Sequence, residues 1–338
     1  MSEQTMGPSP ALFFETINSY QRTAALKAAL ELDLFTAISE NNETAQQIAE
    51  RCKAAPRGIR ILCDYLTVLG FLTKEGDLYS LTQDSSIFLN RNSPAYVGGA
   101  TEFLLSPILM ESFDKLAESV RRGGTVVDEG GTIAPEHPVW VKFARAMSPI
   151  AALPAQLMVN LVTGDASAGL KILDIAAGHG LFGITIAKHC PDAEITALDW
   201  PNVLEVAKEN ARAAGVEDRY STVAGSALDV DFGSGYDVVL LTNFLHHFDT
   251  ETCEALLRKV YAALSDGGRA VTLEFIPNED RVSPPPSAMF SLVMLSGTPG
   301  GDAYTFSELE RMFQNAGFSR SEFHPLPPTI QQVVVSYK

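Results

Sequence analysis

Two adjacent histidines follow a strongly apolar stretch of the chain. His246 and His247 lie in LLTNFLHHFDTE, residues 240–251, where an apolar run stops before an acidic one. Histidine changes charge near neutral pH, so one at the end of a buried strand could serve as a general base, with core packing as the alternative. Because side chains alternate along an extended strand, we expect only His246 to face a ligand cavity. His247 is expected to be a packing or hydrogen-bonding residue.

The sequence around these histidines alternates between strands and helices from Lys171 onward. The segments KILDIA, EITALDW, YSTVAG, YDVVLLTN and RAVTLEF are typical of strands, and helical segments separate them. This order predicts an α/β fold with a mostly parallel sheet covered by helices on both faces. Ligands of such sheets bind at the carboxyl ends of the strands, where the histidines lie. FSRSEFHPLP and TIQQVVVSYK near the end predict an antiparallel hairpin at the sheet edge.

The loop LDIAAGHG after the first of these strands is suited to a nucleoside. Its small residues allow the backbone to approach a ligand closely. Asp199, at the end of the next strand, lies roughly at the interval where an acidic residue reaches ribose hydroxyls. Gly178, Gly180 and Gly183 also satisfy the G-x-G-x-x-G spacing of dinucleotide sites. S-adenosylmethionine and NAD therefore both remain open at this point.

The first half of the chain is expected to form a separate helical domain. Two helices and a short hairpin at Glu75–Asp77 predict a winged helix, and we place the boundary between residues 1–165 and 166–338. The apolar helical stretches 102–124 and 138–162 need another surface to cover them, which favours a homodimer. Few cations lie on the second helix, so DNA binding is not expected.

Composition restricts the classes of function further. The 338 residues are 46% hydrophobic, and the formal net charge of −16 disfavours binding to nucleic acid. We find no apolar run of about 18 residues and no signal peptide, and therefore expect a cytoplasmic protein without membrane contact. The four cysteines lack metal-ligand or disulfide spacing, so no metal site is expected.

Together these motifs resemble the class I S-adenosylmethionine-dependent O-methyltransferases of the plant and bacterial small-molecule type, the acetylserotonin O-methyltransferase-like group. The resemblance covers nearly the whole chain, including TPGGDAYTFSELERMFQNAGF. It implies a Rossmann-like catalytic domain with a seven-stranded, mostly parallel sheet ending in an antiparallel hairpin, and an N-terminal winged-helix dimerisation domain. It also implies that S-adenosyl-L-methionine is the cofactor. The residues expected to bind it are Asp174, Gly178, Gly180, Asp199, Trp200, Ser226, Ala227 and Asn243.

The same resemblance assigns the catalytic residues. The family's usual L-H-D-W motif corresponds to residues 245–248, so the general base is expected to be His246, with Glu274 as its acidic partner. This chain departs from the family at His247, which replaces an aspartate, and at Ala176, which replaces the first glycine of the cofactor loop. Thr242 and Ala303 stand where a lysine and a second acid are common.

These expectations predict methyl transfer to a hydroxyl of an apolar, aromatic small molecule or secondary metabolite. Phe290 with Met289, Val293 and Met294, and Phe143 with Met147 and Met158, are the apolar side chains near the predicted site, although such residues are more often plain core. The alternatives are methylation of carbon or nitrogen, a family member without transferase activity and, with less support, a NAD-dependent oxidoreductase.

Overall fold

The computed structural model describes residues 7–127, 136–164 and 169–338, which divide into two compact units. The first unit ends at Thr101 and the second begins at Glu102. The boundary expected at 165/166 lies outside the described residues. The long helix that precedes it packs against helices that follow it, so this helix belongs to the second unit.

The first unit is helical with one small hairpin. Two helices followed by this hairpin confirm the winged-helix arrangement, and β1 and β2 pair antiparallel with Glu75 opposite Leu78. A capping box between Thr44 and Gln47 begins the first of those two helices. The elements of the unit are α1 (Ala11–Ile17), α2 (Tyr20–Glu31), α3 (Leu34–Ser39), α4 (Ala45–Cys52), α5 (Pro56–Val68), β1 (Leu72–Glu75), β2 (Leu78–Leu81) and α6 (Gln83–Phe88).

The described part of the second unit begins with four α-helices, the first of which starts at the boundary residue Thr101, and continues as the expected alternation of strands and helices. The helices before the sheet are α7 (Thr101–Leu104), α8 (Pro107–Asp114), α9 (Leu116–Arg122) and α10 (Val139–Thr163). The strands of the sheet are β3 (Lys171–Ile175), β4 (Glu194–Asp199), β5 (Tyr220–Ala224), β6 (Tyr236–Thr242), β7 (Leu264–Glu274), β8 (Arg320–Pro325) and β9 (Gln332–Tyr337). The helices among them are α11 (Leu181–His189), α12 (Pro201–Ala213), α13 (Thr250–Ala263), α14 (Pro285–Gly297) and α15 (Phe306–Asn315).

The seven strands lie in the order β5-β4-β3-β6-β7-β9-β8. β5, β4, β3, β6 and β7 are mutually parallel, whereas β9 pairs antiparallel with both β7 and β8. This confirms the predicted mostly parallel sheet with a terminal hairpin. The order reverses between β3 and β6, and the cofactor loop and the histidines follow these two strands. Both motifs therefore meet at the switch point of the sheet.

Two elements differ from the sequence-based expectations. The segment LSDGG begins β7 ahead of the predicted strand RAVTLEF, and the pairing between β6 and β7 shifts register between Tyr236 and Val238. Helix α10 has the length and the apolar composition of a helix that could cross a membrane. Its buried residues, including Ala155, Met158 and Val162, join the core against the sheet, which accounts for part of its apolar character.

Candidate active site

The cofactor loop between β3 and α11 follows an alternating left-handed path. Ala176, Gly178 and Gly180 have φ values of 55°, 58° and 74°. Left-handed backbone suits glycine but strains residues that carry a Cβ atom, so Ala176 is a more costly replacement than its small size suggests. Gly183, the third glycine, lies where α11 packs closely on Ile195, and its N–H donates to Asp174 Oδ2 at 3.2 Å. Gly183 thus serves helix–strand packing.

Two acidic side chains stand beside this loop with little solvent contact. Asp199 accepts hydrogen bonds from the N–H groups of Gly178 at 2.8 Å and Trp200 at 2.7 Å. Asp174 is fully buried, and its Oδ1 has no hydrogen-bond partner among the described residues. Burial raises the pKa of Asp174 to about 7 and the pKa of Asp199 to about 6, with the charge of Asp199 adding to the effect at Asp174.

The remaining residues expected at the cofactor lie on the loops after β4, β5 and β6. Trp200 caps α12 beside Val203, and Ser226 and the buried Ala227 follow β5. Asn243 follows β6 with a φ of 56°, and its side-chain oxygen accepts a hydrogen bond from Gln331. All of these positions lie at the carboxyl edge of the parallel strands, as expected, although their contacts with a cofactor remain a prediction.

The cofactor loop has features that fit S-adenosylmethionine. Asp174 Oδ1 is an enclosed acceptor that lacks a donor, and neither Asp174 nor Asp199 has a cationic partner among the described residues. A carboxylate has about four acceptor positions, so Asp199 can also accept from ribose hydroxyls while holding two backbone N–H groups. A nucleoside with hydroxyl and ammonium donors would match both carboxylates.

His246 and Glu274 form a buried pair at the ends of β6 and β7. The side chains are 6% and 4% exposed, and His246 Nδ1 lies 2.5 Å from Glu274 Oε2. The other carboxylate oxygen, Oε1, accepts from the backbone N–H of Phe244 at 3.0 Å and of His246 at 3.4 Å. The carboxylate therefore accepts the proton of Nδ1, which leaves Nε2 as the basic nitrogen of the ring.

The expectation that His246 and His247 continue the extended strand is wrong. Asn243 turns left-handed after β6, and residues Leu245–His247 form a 3₁₀ turn instead of continuing the strand. Strand alternation does not apply to such a turn, and the two imidazole centroids lie 4.3 Å apart. His247 therefore lies beside the predicted base, with its ring edge-on to Trp140 at 5.2 Å.

Aromatic rings connect the cofactor loop with the histidine pair. His179 of the loop stacks on Phe143, with 6.3 Å between the ring centroids. Phe143 in turn lies edge-on to Trp140, with 5.6 Å between the centroids, and Trp140 contacts His247. On the other side of the pair, the ring of Phe290 lies 4.9 Å from that of His246. Sequence analysis missed Trp140, whose only signal was its position three residues before Phe143 on α10.

Other predicted neighbours lie elsewhere. Met158 is buried in the core between α10 and the sheet, so it does not line an acceptor cavity, and Met289 is 68% exposed. Thr242 and Ala303 are both buried. Ala303 follows the turn 298–302. This turn packs closely against the histidines, since a Cβ atom added to Gly301 would lie only 2.2 Å from the carbonyl oxygen of His246.

Comparison with known proteins agrees with this arrangement. The family model of the O-methyltransferase domain matches residues 129–319, more than half of the chain, and that of the O-methyltransferase dimerisation domain matches residues 14–91. A crystal structure from Nostoc punctiforme PCC 73102, provisionally described as an O-methyltransferase, is 58% identical and superposes with a TM-score of 0.95 over 98% of this chain and 100% of that one.

Two more distant relatives carry informative names. A 3-hydroxy-5-methyl-1-naphthoate 3-O-methyltransferase of Streptomyces sahachiroi is 28% identical over 92% of this chain and 90% of its own. PigF of Serratia sp. (strain ATCC 39006) is named an S-adenosyl-L-methionine-dependent methyl transferase and is 26% identical over 89% of this chain and 88% of its own. A structure of PigF with S-adenosylhomocysteine has a TM-score of 0.85, covering 98% of this chain and 100% of that one.

These matches confirm the predicted resemblance, and with it S-adenosyl-L-methionine as the cofactor in place of NAD. The chain belongs to the S-adenosylmethionine-dependent O-methyltransferase family.

Proposed function

We propose that this enzyme transfers the methyl group to a hydroxyl of a planar, apolar aromatic molecule, with His246 as the general base. The observation that carries the proposal is the buried contact of His246 with Glu274, surrounded by aromatic rings. The Streptomyces sahachiroi relative, whose name describes methylation of a hydroxynaphthoate, supports the same acceptor class.

S-adenosyl-L-methionine, when bound, supplies a methyl group activated by a sulfonium centre. We assign its binding to Asp174, Asp199 and the glycines of the loop, with Trp200, Ser226, Ala227 and Asn243 around them. The chain's own task is to orient the acceptor and remove its proton. Glu274 holds the ring of His246 and stabilises the imidazolium that forms when Nε2 takes the proton.

Proton removal is expected to accompany methyl transfer rather than precede it. A phenol has a pKa near 10 and a free imidazolium one near 6.5, so complete prior transfer would cost about 4.8 kcal/mol. A concerted reaction avoids most of this cost, and an acidic acceptor lowers it further.

The proposal is tested by screening hydroxylated aromatic acceptors with methyl-labelled cofactor. Mass spectrometry and NMR of the products distinguish a methyl ether from carbon or nitrogen methylation, the alternative that the family resemblance leaves open. Calorimetry with S-adenosylmethionine, S-adenosylhomocysteine and NAD tests the cofactor independently of any acceptor. If neither sulfur nucleoside binds, the proposed function is wrong.

A substitution tests the role of the base. His246→Ala should lower kcat by about 10²-fold or more and leave the Kd for S-adenosylhomocysteine nearly unchanged. His189→Ala, on the exposed end of α11, is the matched control and should retain full turnover. Unchanged turnover in His246→Ala would return this histidine to a packing role.

The assembly is proposed to be a homodimer. Residues 14–91 match the family's dimerisation domain, and α1 has no buried residue while exposing Leu12, Phe13, Phe14 and Ile17. Light scattering at several concentrations should give twice the chain mass, and a monomer mass would refute the proposal.

We also propose a cytoplasmic enzyme that binds neither nucleic acid nor membranes, consistent with the net charge of −16. Gel-shift and vesicle-flotation assays test the two exclusions.

A further inference from the structure

The imidazole of His247 has no hydrogen-bond partner among the described residues. Its Nδ1 is enclosed, and the rings around it belong to His246, Trp140 and Phe248. Nε2 is not among the enclosed atoms without a partner, so it remains reachable. A polar ring placed beside the base, whose reachable nitrogen has no partner, is a candidate for ligand recognition because a bound acceptor can supply that partner.

The protonation of this ring follows from its surroundings. Burial, with a smaller contribution from the neighbouring His246, holds the pKa of His247 well below its usual range, so the ring is neutral and carries one proton. Enclosed N–H groups without an acceptor are rarer in proteins than under-satisfied acceptors. The bare Nδ1 is therefore the unprotonated nitrogen, and the proton lies on Nε2, where it can be donated.

The two neighbouring histidines thus offer opposite hydrogen-bonding groups. His246 donates Nδ1–H to Glu274 and keeps a basic Nε2, whereas His247 keeps a bare Nδ1 and donates through Nε2. Their ring centroids are 4.3 Å apart, so the two rings are close enough to contact two oxygens of the same acceptor molecule.

We propose that His247 determines acceptor specificity by donating a hydrogen bond from Nε2 to a carbonyl oxygen on the carbon next to the reacting hydroxyl. The acceptor class is therefore the hydroxyaryl carbonyl compounds, such as esters and ketones. This proposal rests on the proposed function, since it assumes that His246 removes the proton of that hydroxyl.

Such an acceptor suits the chemistry of the base. In the free molecule the hydroxyl donates to its neighbouring carbonyl, which occupies the proton that His246 must remove. A donor from His247 can take over the carbonyl oxygen and free the hydroxyl for His246. The withdrawing carbonyl also stabilises the phenolate, which reduces the mismatch between phenol and imidazole.

Two isomeric substrates test the inference with the full-length enzyme. One is a hydroxynaphthoate methyl ester with hydroxyl and ester on neighbouring carbons, and the other carries them on different rings. We expect kcat/KM to favour the neighbouring isomer by about tenfold. A naphthalenediol with neighbouring hydroxyls forms the third arm. Equal rates for the two esters, or a preference for the diol, would overturn the inference.

Variants show whether His247 produces the preference. His247→Phe retains a ring without nitrogens and should bring the ratio of the two esters to about one while the Kd for S-adenosylhomocysteine is unchanged. His247→Asn is smaller, retains an N–H donor and should keep part of the ratio, which covers the case in which the phenylalanine variant misfolds. A ratio that survives both substitutions assigns the preference to another residue and refutes the inference.

A spectroscopic measurement tests the tautomer without turnover. Isotope-edited NMR of histidine-labelled protein should show residue 247 neutral and protonated on Nε2, with its signals assigned by their loss in His247→Phe. Protonation on Nδ1 would contradict the inference. If S-adenosylhomocysteine binds but no naphthalene probe is methylated, the acceptor class is wrong, whereas absence of nucleoside binding refutes the proposed function itself.

Discussion

The carboxylate of Glu274 binds both the side chain and the backbone of His246. One oxygen accepts from Nδ1 at 2.5 Å, and the other accepts from the N–H of His246 at 3.4 Å and of Phe244 at 3.0 Å. A single buried acid at the end of β7 thus fixes the ring, the tautomer and the turn that carries the base. Glu274 therefore positions the base and also stabilises its imidazolium form electrostatically.

Glu274→Gln is expected to lower kcat by about 10²–10⁴-fold, because an amide neither selects the Nδ1–H tautomer nor stabilises an imidazolium as a carboxylate does. The Kd for S-adenosylhomocysteine should change by less than about threefold. Steady-state kinetics and calorimetry measure the two quantities. In the double variant with His246→Ala the loss should be no greater than in the worse single variant, because the pair acts as a unit. Additive losses would show that Glu274 acts independently of His246.

Much of the fold follows from sequence patterns, because each parallel strand is a short apolar run between turn residues. The observed strands β3 and β4 therefore have nearly the bounds predicted from KILDIA and EITALDW. The position of Asp199 at the end of a strand follows directly from that pattern. The start of β7 could not be found in this way, since LSDGG is polar and rich in glycine, and only its pairing across the bulge with β6 makes it extended.

The site was harder to predict where geometry depends on distant residues. The 3₁₀ turn at His246 follows from a left-handed Asn243, a conformation that no local apolar pattern indicates. Trp140 reaches His247 from α10, more than a hundred positions earlier in the chain, and only tertiary packing brings them together. Such contacts are invisible to periodicity, which describes one element at a time.

The buried carboxyl of Asp174 should make both stability and cofactor binding depend on pH. Burial raises its pKa from an ordinary value near 3.8 to about 7, equivalent to about 4 kcal/mol. The folded state then holds a proton that the unfolded chain releases, so this contribution to stability is complete below pH 4 and is lost as the pH rises through 7. Asp174→Asn should therefore be more stable than the parent at pH 8, with little difference at pH 4.

Chemical denaturation of both proteins between pH 4 and pH 8 measures this difference. Asp266→Asn, an exposed position, is the control for the change in net charge. If S-adenosylmethionine requires both carboxylates ionised, its affinity should increase with pH and level off above about 7 in the parent, whereas in Asp174→Asn it should level off above about 6, where Asp199 is ionised. Parallel stability profiles for the two proteins would refute the assignment.

Ala176 offers a stabilising substitution. A φ of 55° destabilises the folded state by about 1–2 kcal/mol when the residue is an alanine. Glycine removes this strain, but its greater freedom in the unfolded chain costs about 0.5–1 kcal/mol of stability. Ala176→Gly should therefore raise the free energy of unfolding by about 0.5–1 kcal/mol and leave cofactor affinity unchanged or improved. Ala177→Gly, at a buried neighbour without a left-handed φ, should instead destabilise by about 1–2 kcal/mol. Equal effects of the two substitutions would exclude backbone strain as the cause.

Gly301 packs against the 3₁₀ turn Leu245–His247 and is expected to determine the position of this turn. A Cβ added there would lie 2.2 Å from the carbonyl oxygen of His246 and 2.9 Å from the carbonyl carbon of His247, and backbone atoms cannot rotate away. Gly301→Ala must therefore shift the turn, which should cost about 1–3 kcal/mol of stability and lower kcat more than it changes the Kd for S-adenosylhomocysteine. Gly58→Ala, where an added Cβ meets nothing within 4 Å, is the matched control and should leave kcat unchanged. Normal turnover in Gly301→Ala would show that the turn tolerates displacement and that the close packing of residue 301 serves the fold alone.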